Sequence, residues 1–450
     1  MNKNSLFIEY RNVAELLAYP GNLRVHNRSQ KRKLRACLQK FGVVTPIIIN
    51  DDNVVVDGHA VLKEWTELGN DQIPVVVVRG RGSLDVRALR LALNRIPQDA
   101  KWNQPQLKAE VQDFLEIAYD VSITGFDQVE IDMVLATDDV PSGAVEDAPP
   151  RPNPNALAVS KLGDLWILGK HRITCGDSRN AATLARLMGS TAAQMVFTDP
   201  PFNVPVRTIS GLGKHKHREF EMASGEMTRD EFTLFLQTFL EGALVHLRDG
   251  GLAYVCMDWK HQWELLTAAD NLGLRQMNLC VWSKTTPGMG SFYRSSHELI
   301  HIFKKGDAPH VNNFELGKNG RSRSNVWTYR GMNVPGAERD ELLALHPTVK
   351  PRALVADAIK DVTRRNDVVL DPFLGSGTTV IAAEDTGRRC YGIELDPLYI
   401  DTAIRRWQAH TGGEAILAGT ETTFDELEEK GRQTQQLLLP PPAPTSNEEV

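Results

Sequence analysis

Short β-branched runs alternate with amphipathic stretches along this chain, and the alternation changes character between its two halves. IIIN (47–50), VVV (54–56) and the four valines after Pro74 read as strands. Each is too short for a helix and rich in side chains that pack well on a pleated surface. Asp51-Asp52-Asn53 supplies the first turn, and DGH (57–59) leads into a helix through Leu68 that Gly69-Asn70 stops. SQKRKLRACLQK (29–40) reads as a basic helix. Residues 1–98 thus predict a small α+β domain, 99–137 a polar helical extension, and 138–160 a linker rich in proline and small residues. From 161 to 412, apolar strands at 194–197, 251–257, 277–283, 298–303, 367–370 and 390–395 alternate with amphipathic helices. That pattern predicts an α/β domain built on a parallel sheet. Thr228 and Glu231 form a capping box before a helix over 232–247, Pro351 suits a first helical position, and Gly387 a helix stop. The acidic and then proline-rich segment 413–450 reads as a disordered tail.

Length and composition narrow this picture. A chain of 450 residues is expected to hold two or three domains, each with its own core. The longest apolar runs, such as Val75 to Val78, are far too short to span a bilayer, and MNKNSLFIEYRN lacks a secretory pattern. Cys37, Cys175, Cys256, Cys280 and Cys390 are scattered without paired spacing. They read as reduced thiols of a cytoplasmic protein, with no disulfide and no metal site. The net charge of −6 disfavours a wholly basic nucleic-acid binder, yet basic clusters stand at 31–35, 214–218 and 321–323.

Two segments carry chemistry. VVLDPFLGSGTTV (368–380) is a strand, a glycine loop and a helix start, the frame of a nucleotide-type pocket. Gly375 and Gly377 let backbone approach a ligand closely. Glu394 follows Asp371 at the spacing where an acid holds a ribose diol in dinucleotide folds. The loop is neither a triphosphate P-loop nor G-x-G-x-x-G, and a plain tight turn is its competing account. TDPPFN (198–203) also ends an apolar run. Its prolines make a rigid turn beside a carboxylate and an aromatic ring. Asp199 and the Pro200 carbonyl can accept the two hydrogens of an exocyclic amine, and Phe202 can stack on its ring. An Asp-Pro turn with Phe202 in the core is the bland alternative.

Together these residues resemble the amino-methyltransferases of DNA. DPPF (199–202) looks like their catalytic motif, with Pro201 inside it, and DPFLGSGTT (371–379) like their cofactor loop. HPTVKP (346–351), VWSK (281–284) and HELIHIFKKG (297–306) resemble further elements, and the order is that of the permuted β-type group. The resemblance implies a Rossmann-like S-adenosylmethionine-dependent methyltransferase domain over 161–412, preceded by a small α+β domain. It implies that Asp371, Phe373, Gly375, Ser376, Gly377, Thr378, Thr379 and Glu394 contact S-adenosyl-L-methionine, with Thr348 and Lys350 near its methionine end. The segment 41–78 resembles the ParB/sulfiredoxin-like domain, although Ala60 and Val61 replace its phosphate-binding arginines. The function implied is methylation of adenine N6 in double-stranded DNA by a standalone modification enzyme. Asp rather than Ser at 199 favours adenine over cytosine N4. A ParB-like regulatory protein with an inactive methyltransferase domain is the alternative of another class. A homodimer is compatible with this reading and a membrane partner is not expected. Lys214, Lys216 and Arg218 of a glycine-rich basic segment, and Arg321 and Arg323 of the short insertion 306–345, are the candidates for DNA contact. Trp327 and Tyr329 read as buried core, and His297 and Glu298 as structural.

Overall fold

The computed structural model describes residues 6–21, 24, 26–117, 119–136, 157–204, 223–284, 292–313, 323–329 and 350–438. The chain divides into two compact units, Met1–Gly143 and Ala144–Val450.

In the first unit, β1 (Ile8–Asn12), β2 (Ile47–Asn50), β3 (Val55–Asp57) and β4 (Gln72–Val78) form one sheet in the order β1-β4-β2-β3. Alternate residues Ile47, Ile49, Val55, Ile73, Val75 and Val77 meet in its core. The edge strand β1 escapes a periodicity reading because Ile8 and Tyr10 are exposed. Asn27 caps the basic helix Arg28–Phe41, whose Arg35 pairs with Glu64 at 2.6 Å and whose Lys33 lies 3.2 Å from Glu130. Part of the positive face is therefore neutralised within the unit. Residues 99–137 belong to this unit: helices Gln104–Glu116 and Gln128–Ala136 pack through Val111, Val121, Ile131 and Val134.

The second unit is built on a ten-stranded sheet. Its strands are β5 (Leu165–Leu168), β6 (His171–Cys175), β7 (Ala193–Thr198), β8 (Leu247–Met257), β9 (Arg275–Lys284), β10 (His297–Lys304), β11 (Val326–Tyr329), β12 (Val368–Asp371), β13 (Arg389–Glu394) and β14 (Ala415–Leu417). Their order is β11-β9-β10-β8-β7-β12-β13-β6-β5-β14. Strands β6, β13, β12, β7 and β8 run parallel. Period-two alternation splits each central strand between two cores: Met195, Phe197, Tyr254 and Cys256 face one layer, Val196, Ala253, Val255 and Met257 the other. Helices Arg352–Val362, Thr378–Asp385 and Pro397–Thr411 cover the first face; Ala181–Met188, Arg229–His246 and Gln262–Asn271 cover the second. This is a Rossmann-like architecture.

Three expectations need correction. The sheet is mixed, since β10 is antiparallel to both β8 and β9, and β5 to both β6 and β14. Only Gly169 and Lys170 join β5 to β6, and so short a link can only reverse direction. The segment from 413 is not a disordered tail through 438: β14 pairs with β5, helix Phe424–Leu438 follows, and Phe424 is fully buried against Trp166 with ring centroids 5.5 Å apart. A few apolar residues anchor it despite its acidic composition. Pro351 is the N-cap of the helix Arg352–Val362 rather than its first residue, while the Thr228–Glu231 capping box forms as read.

Candidate active site

Strand pairing brings the two motifs together. β7 and β12 are parallel neighbours, with Met195 opposite Val369 and Val196 opposite Leu370. Thr198-Asp199 and Asp371 therefore emerge side by side at the carboxyl edge, and β13 delivers Glu394 next to them. In doubly wound sheets that edge is where ligands bind.

The glycine loop is internally braced. Asp371 accepts from Phe373 N at 3.1 Å and from Thr379 Oγ1 at 2.6 Å. Glu394 accepts from Gly375 N at 2.8 Å and from Asp396 N at 2.9 Å. Burial pushes both the Asp371 and Glu394 carboxyls up to about 7 despite these donors. Gly377 has φ +84°, and a Cβ there would stand 2.7 Å from Ala403 Cβ. A Cβ on Gly375 would meet nothing within 4 Å, so the loop is open on that side. Arg406 bonds Ser376 through its carbonyl and hydroxyl, and Phe373 packs edge-on against Phe239 at 5.0 Å. Thr378 opens the helix Thr378–Asp385, which has no side-chain cap. Its first N–H groups lack that partner.

The TDPPFN turn is equally fixed. Pro200 is buried, Pro201 half-buried, and Phe202 packs partly against both cores. Asn203, not singled out from the sequence, clamps the turn: its Oδ1 accepts from Gly225 N at 3.0 Å and Met227 N at 3.2 Å, and its Nδ2 donates to the Met227 carbonyl at 2.8 Å. Asp199 Oδ2 is 2.6 Å from Lys350 Nζ, while Asp199 Oδ1 is buried with no hydrogen-bond partner among the described residues. Lys350 Nζ also lies 2.8 Å from Glu298 Oε2, and Glu298 pairs in turn with Lys284. Burial raises the Asp199 carboxyl and the Glu298 charge adds to it, against the pull of Lys350. Burial disfavours the Glu298 charge too, yet Lys350 and Lys284 hold that carboxyl well below its usual range.

The remaining assigned residues fare differently. Lys350 meets Asp199 of the TDPPFN turn directly, and Glu298, read only as strand structure, reaches that turn through Lys350. Arg323 does not present a free cation to DNA: it lies 3.5 Å from Asp357 and 3.4 Å from Asp361, over the Trp327 ring at 4.7 Å. Trp327 is buried core, and the half-buried Tyr329 donates its hydroxyl to Asp357. Thr348, Lys214, Lys216, Arg218 and Arg321 lie outside the described residues. Among the described residues no group of three His, Cys, Asp or Glu side chains could hold a metal ion, and no helix is long and apolar enough to cross a membrane.

Residues 193–405 match the DNA methylase family, and residues 105–162 match the ParB-methyltransferase HTH domain. The second match covers the helical residues at the end of the first unit and the segment read as a linker. The type II methyltransferase M2.DpnII of Streptococcus pneumoniae is 28% identical over 234 residues, covering 49% of this chain and 85% of its own. M2.LlaDCHI of Lactococcus lactis subsp. cremoris is 29% identical over 225 residues, covering 47% and 81%. Among solved structures, TTHA0409 of Thermus thermophilus, a putative DNA modification methylase complexed with S-adenosyl-L-methionine, is 22% identical with a TM-score of 0.39, covering 56% of this chain and 100% of that one.

Proposed function

Because residues 193–405 belong to the DNA methylase family, we propose that this chain transfers a methyl group from S-adenosyl-L-methionine to the N6 amine of adenine in DNA. The observation that carries the reading is the buried, unpartnered Asp199 Oδ1 at the same sheet edge as the glycine loop. A buried acceptor without a donor costs about 1–3 kcal/mol, and an amine hydrogen from a bound base supplies the missing partner.

The cofactor loop fits its group. Glu394 is an acceptor for a ribose diol, Gly375 leaves its ligand side open, and the start of the helix Thr378–Asp385 offers N–H groups. Asp371, Phe373, Ser376, Gly377, Thr378 and Thr379 shape that wall. S-adenosyl-L-methionine supplies a methyl carbon already activated on a sulfonium, which keeps the S–C electron pair when the N–C bond forms. The protein's task is then to position the amine. An adenine amine is a poor nucleophile because its lone pair is delocalised into the ring. Asp199 Oδ1 and the Pro200 carbonyl accept its two hydrogens, draw the nitrogen toward tetrahedral geometry and free that pair. The Asp199 carboxylate stabilises the positive charge developing on nitrogen and takes the surplus proton for release to water. The base must leave the duplex to reach this turn, at a cost of a few kcal/mol, and Phe202 is the ring on which it stacks. Lys214, Lys216, Arg218 and Arg321 remain our candidates for neutralising the DNA backbone by their place in the sequence, and the segment 105–162 adds a DNA-contacting module.

Sequencing modified bases in DNA from cells expressing the chain tests this. N6-methyladenine in one defined context is expected, and its absence with Asp199→Ala, which should still bind cofactor. N4-methylcytosine alone would move the assignment to cytosine. No modified base from the wild-type chain, or equal transfer by Asp199→Ala, would defeat it.

A further inference from the structure

Four buried or half-buried charges stand in line behind the catalytic turn. Lys284 closes β9, Glu298 is the second residue of β10, and Lys350 sits just ahead of the helix Arg352–Val362. The line runs Lys284, Glu298, Lys350, Asp199, with Lys350 Nζ 2.8 Å from Glu298 and 2.6 Å from Asp199. Both ammonium groups rest on the Trp282 ring, Lys284 at 4.7 Å and Lys350 at 5.9 Å from its centroid. Lys350 is only 4% and Glu298 only 10% exposed. Stability is a poor reason for this array, since buried ion pairs are commonly matched or bettered by apolar packing. Its product is asymmetric: one Asp199 oxygen is tied to Lys350 and the other is left without a partner among the described residues.

We propose that Glu298 and Lys350 are positioning residues that hold the Asp199 carboxylate by Oδ2 so that Oδ1 faces the target amine, with Lys284 and Trp282 fixing Glu298 and Lys350 in turn. This rests on the methyl-transfer reading for its purpose but not for its test. Lys350 anchors the carboxylate rotation that the amine would otherwise have to arrest. Glu298 keeps Lys350 from being held by Asp199 alone, which moderates the cation's pull on the carboxylate. The charged and titratable groups that act on Asp199 are Lys350, Glu298, Lys284, Asp371 and the Cys256 thiol. Of these, Lys350 donates directly to its carboxylate.

The test is the titration of Asp199 in the full chain without DNA or cofactor. It is followed by 13C NMR of carboxyl-labelled aspartate, with the resonance identified by its loss in Asp199→Asn. Removing the cation in Lys350→Met should move the midpoint up, and neutralising its anionic neighbour in Glu298→Gln should move it down. A general loosening of the site would shift both the same way. No transfer reaction enters this measurement, so it stands even if adenine is not the substrate. In steady-state kinetics, kcat should fall between about tenfold and 100-fold in both variants, the range expected for a misoriented reacting group. Cofactor affinity by calorimetry should stay unchanged in Glu298→Gln, and Lys350→Arg should recover part of kcat. Should Lys350→Met fail to fold, Glu298→Gln should still lower the midpoint, while Lys350→Arg, which keeps the cation, should leave it near the wild-type value. An Asp199 midpoint unmoved in Glu298→Gln, shifts of one sign in both variants, or cofactor affinity lost in parallel with kcat in Glu298→Gln would each overturn the proposal.

Discussion

Glu394 receives two backbone N–H groups, yet burial keeps its carboxyl up at about 7. A folded-state value above the unfolded one adds stability that is present below about 4.5 and lost as pH rises through about 7. Asp371 behaves alike, with its value also near 7. A diol that donates to Glu394 favours the ionised form, so cofactor affinity should rise as pH climbs through about 7. Glu394→Gln should bind more weakly, by about 1.5–3 kcal/mol at about pH 8, with little pH dependence. Calorimetric titration on either side of neutrality checks both; a flat wild-type profile would contradict it. Asp371, Glu394 and Asp199 could be picked out from the chain because their neighbours in sequence, prolines and glycines, dictate sharp turns. The ion pairs of Arg323 and Glu298 were not legible for the converse reason: their partners Asp357, Asp361, Lys284 and Lys350 are distant in sequence.

Elements were legible where local signals were strong. All six strands read from apolar runs between 194 and 395 are present, as is the capping box at Thr228. β5 and β6 were missed because each is brief and lacks alternation. β14 and the helix Phe424–Leu438 were missed because acidic composition masked one decisive aromatic. Phe424 is fully buried in contact with Trp166. Phe424→Ala should cost about 3–5 kcal/mol, and a chain ending at 413 should melt at a clearly lower temperature. Denaturation followed by near-ultraviolet circular dichroism measures both. Unchanged melting on truncation would mean that the segment after 413 adds nothing to the second unit.

Across the whole molecule, each compact unit has its own hydrophobic cluster, and both strand ends that form the site lie in the second. A chain spanning 157–450 is therefore expected to fold cooperatively and to bind S-adenosyl-L-methionine as tightly as the full chain. Calorimetry on both forms decides this, and a large loss of affinity would show that the first unit contributes to the pocket. The residues alone sufficed to mark out six strands of the second unit and the sharp turns after two of them, since β-branching, proline and glycine act through the nearest few peptide units. They could not say that β12 slots between β7 and β13, that β10 runs against its neighbours, or that Lys284, Glu298 and Lys350 converge behind Asp199. Those features depend on long-range pairing and on exclusion of water, which strengthens charge contacts between segments that have no local reason to meet.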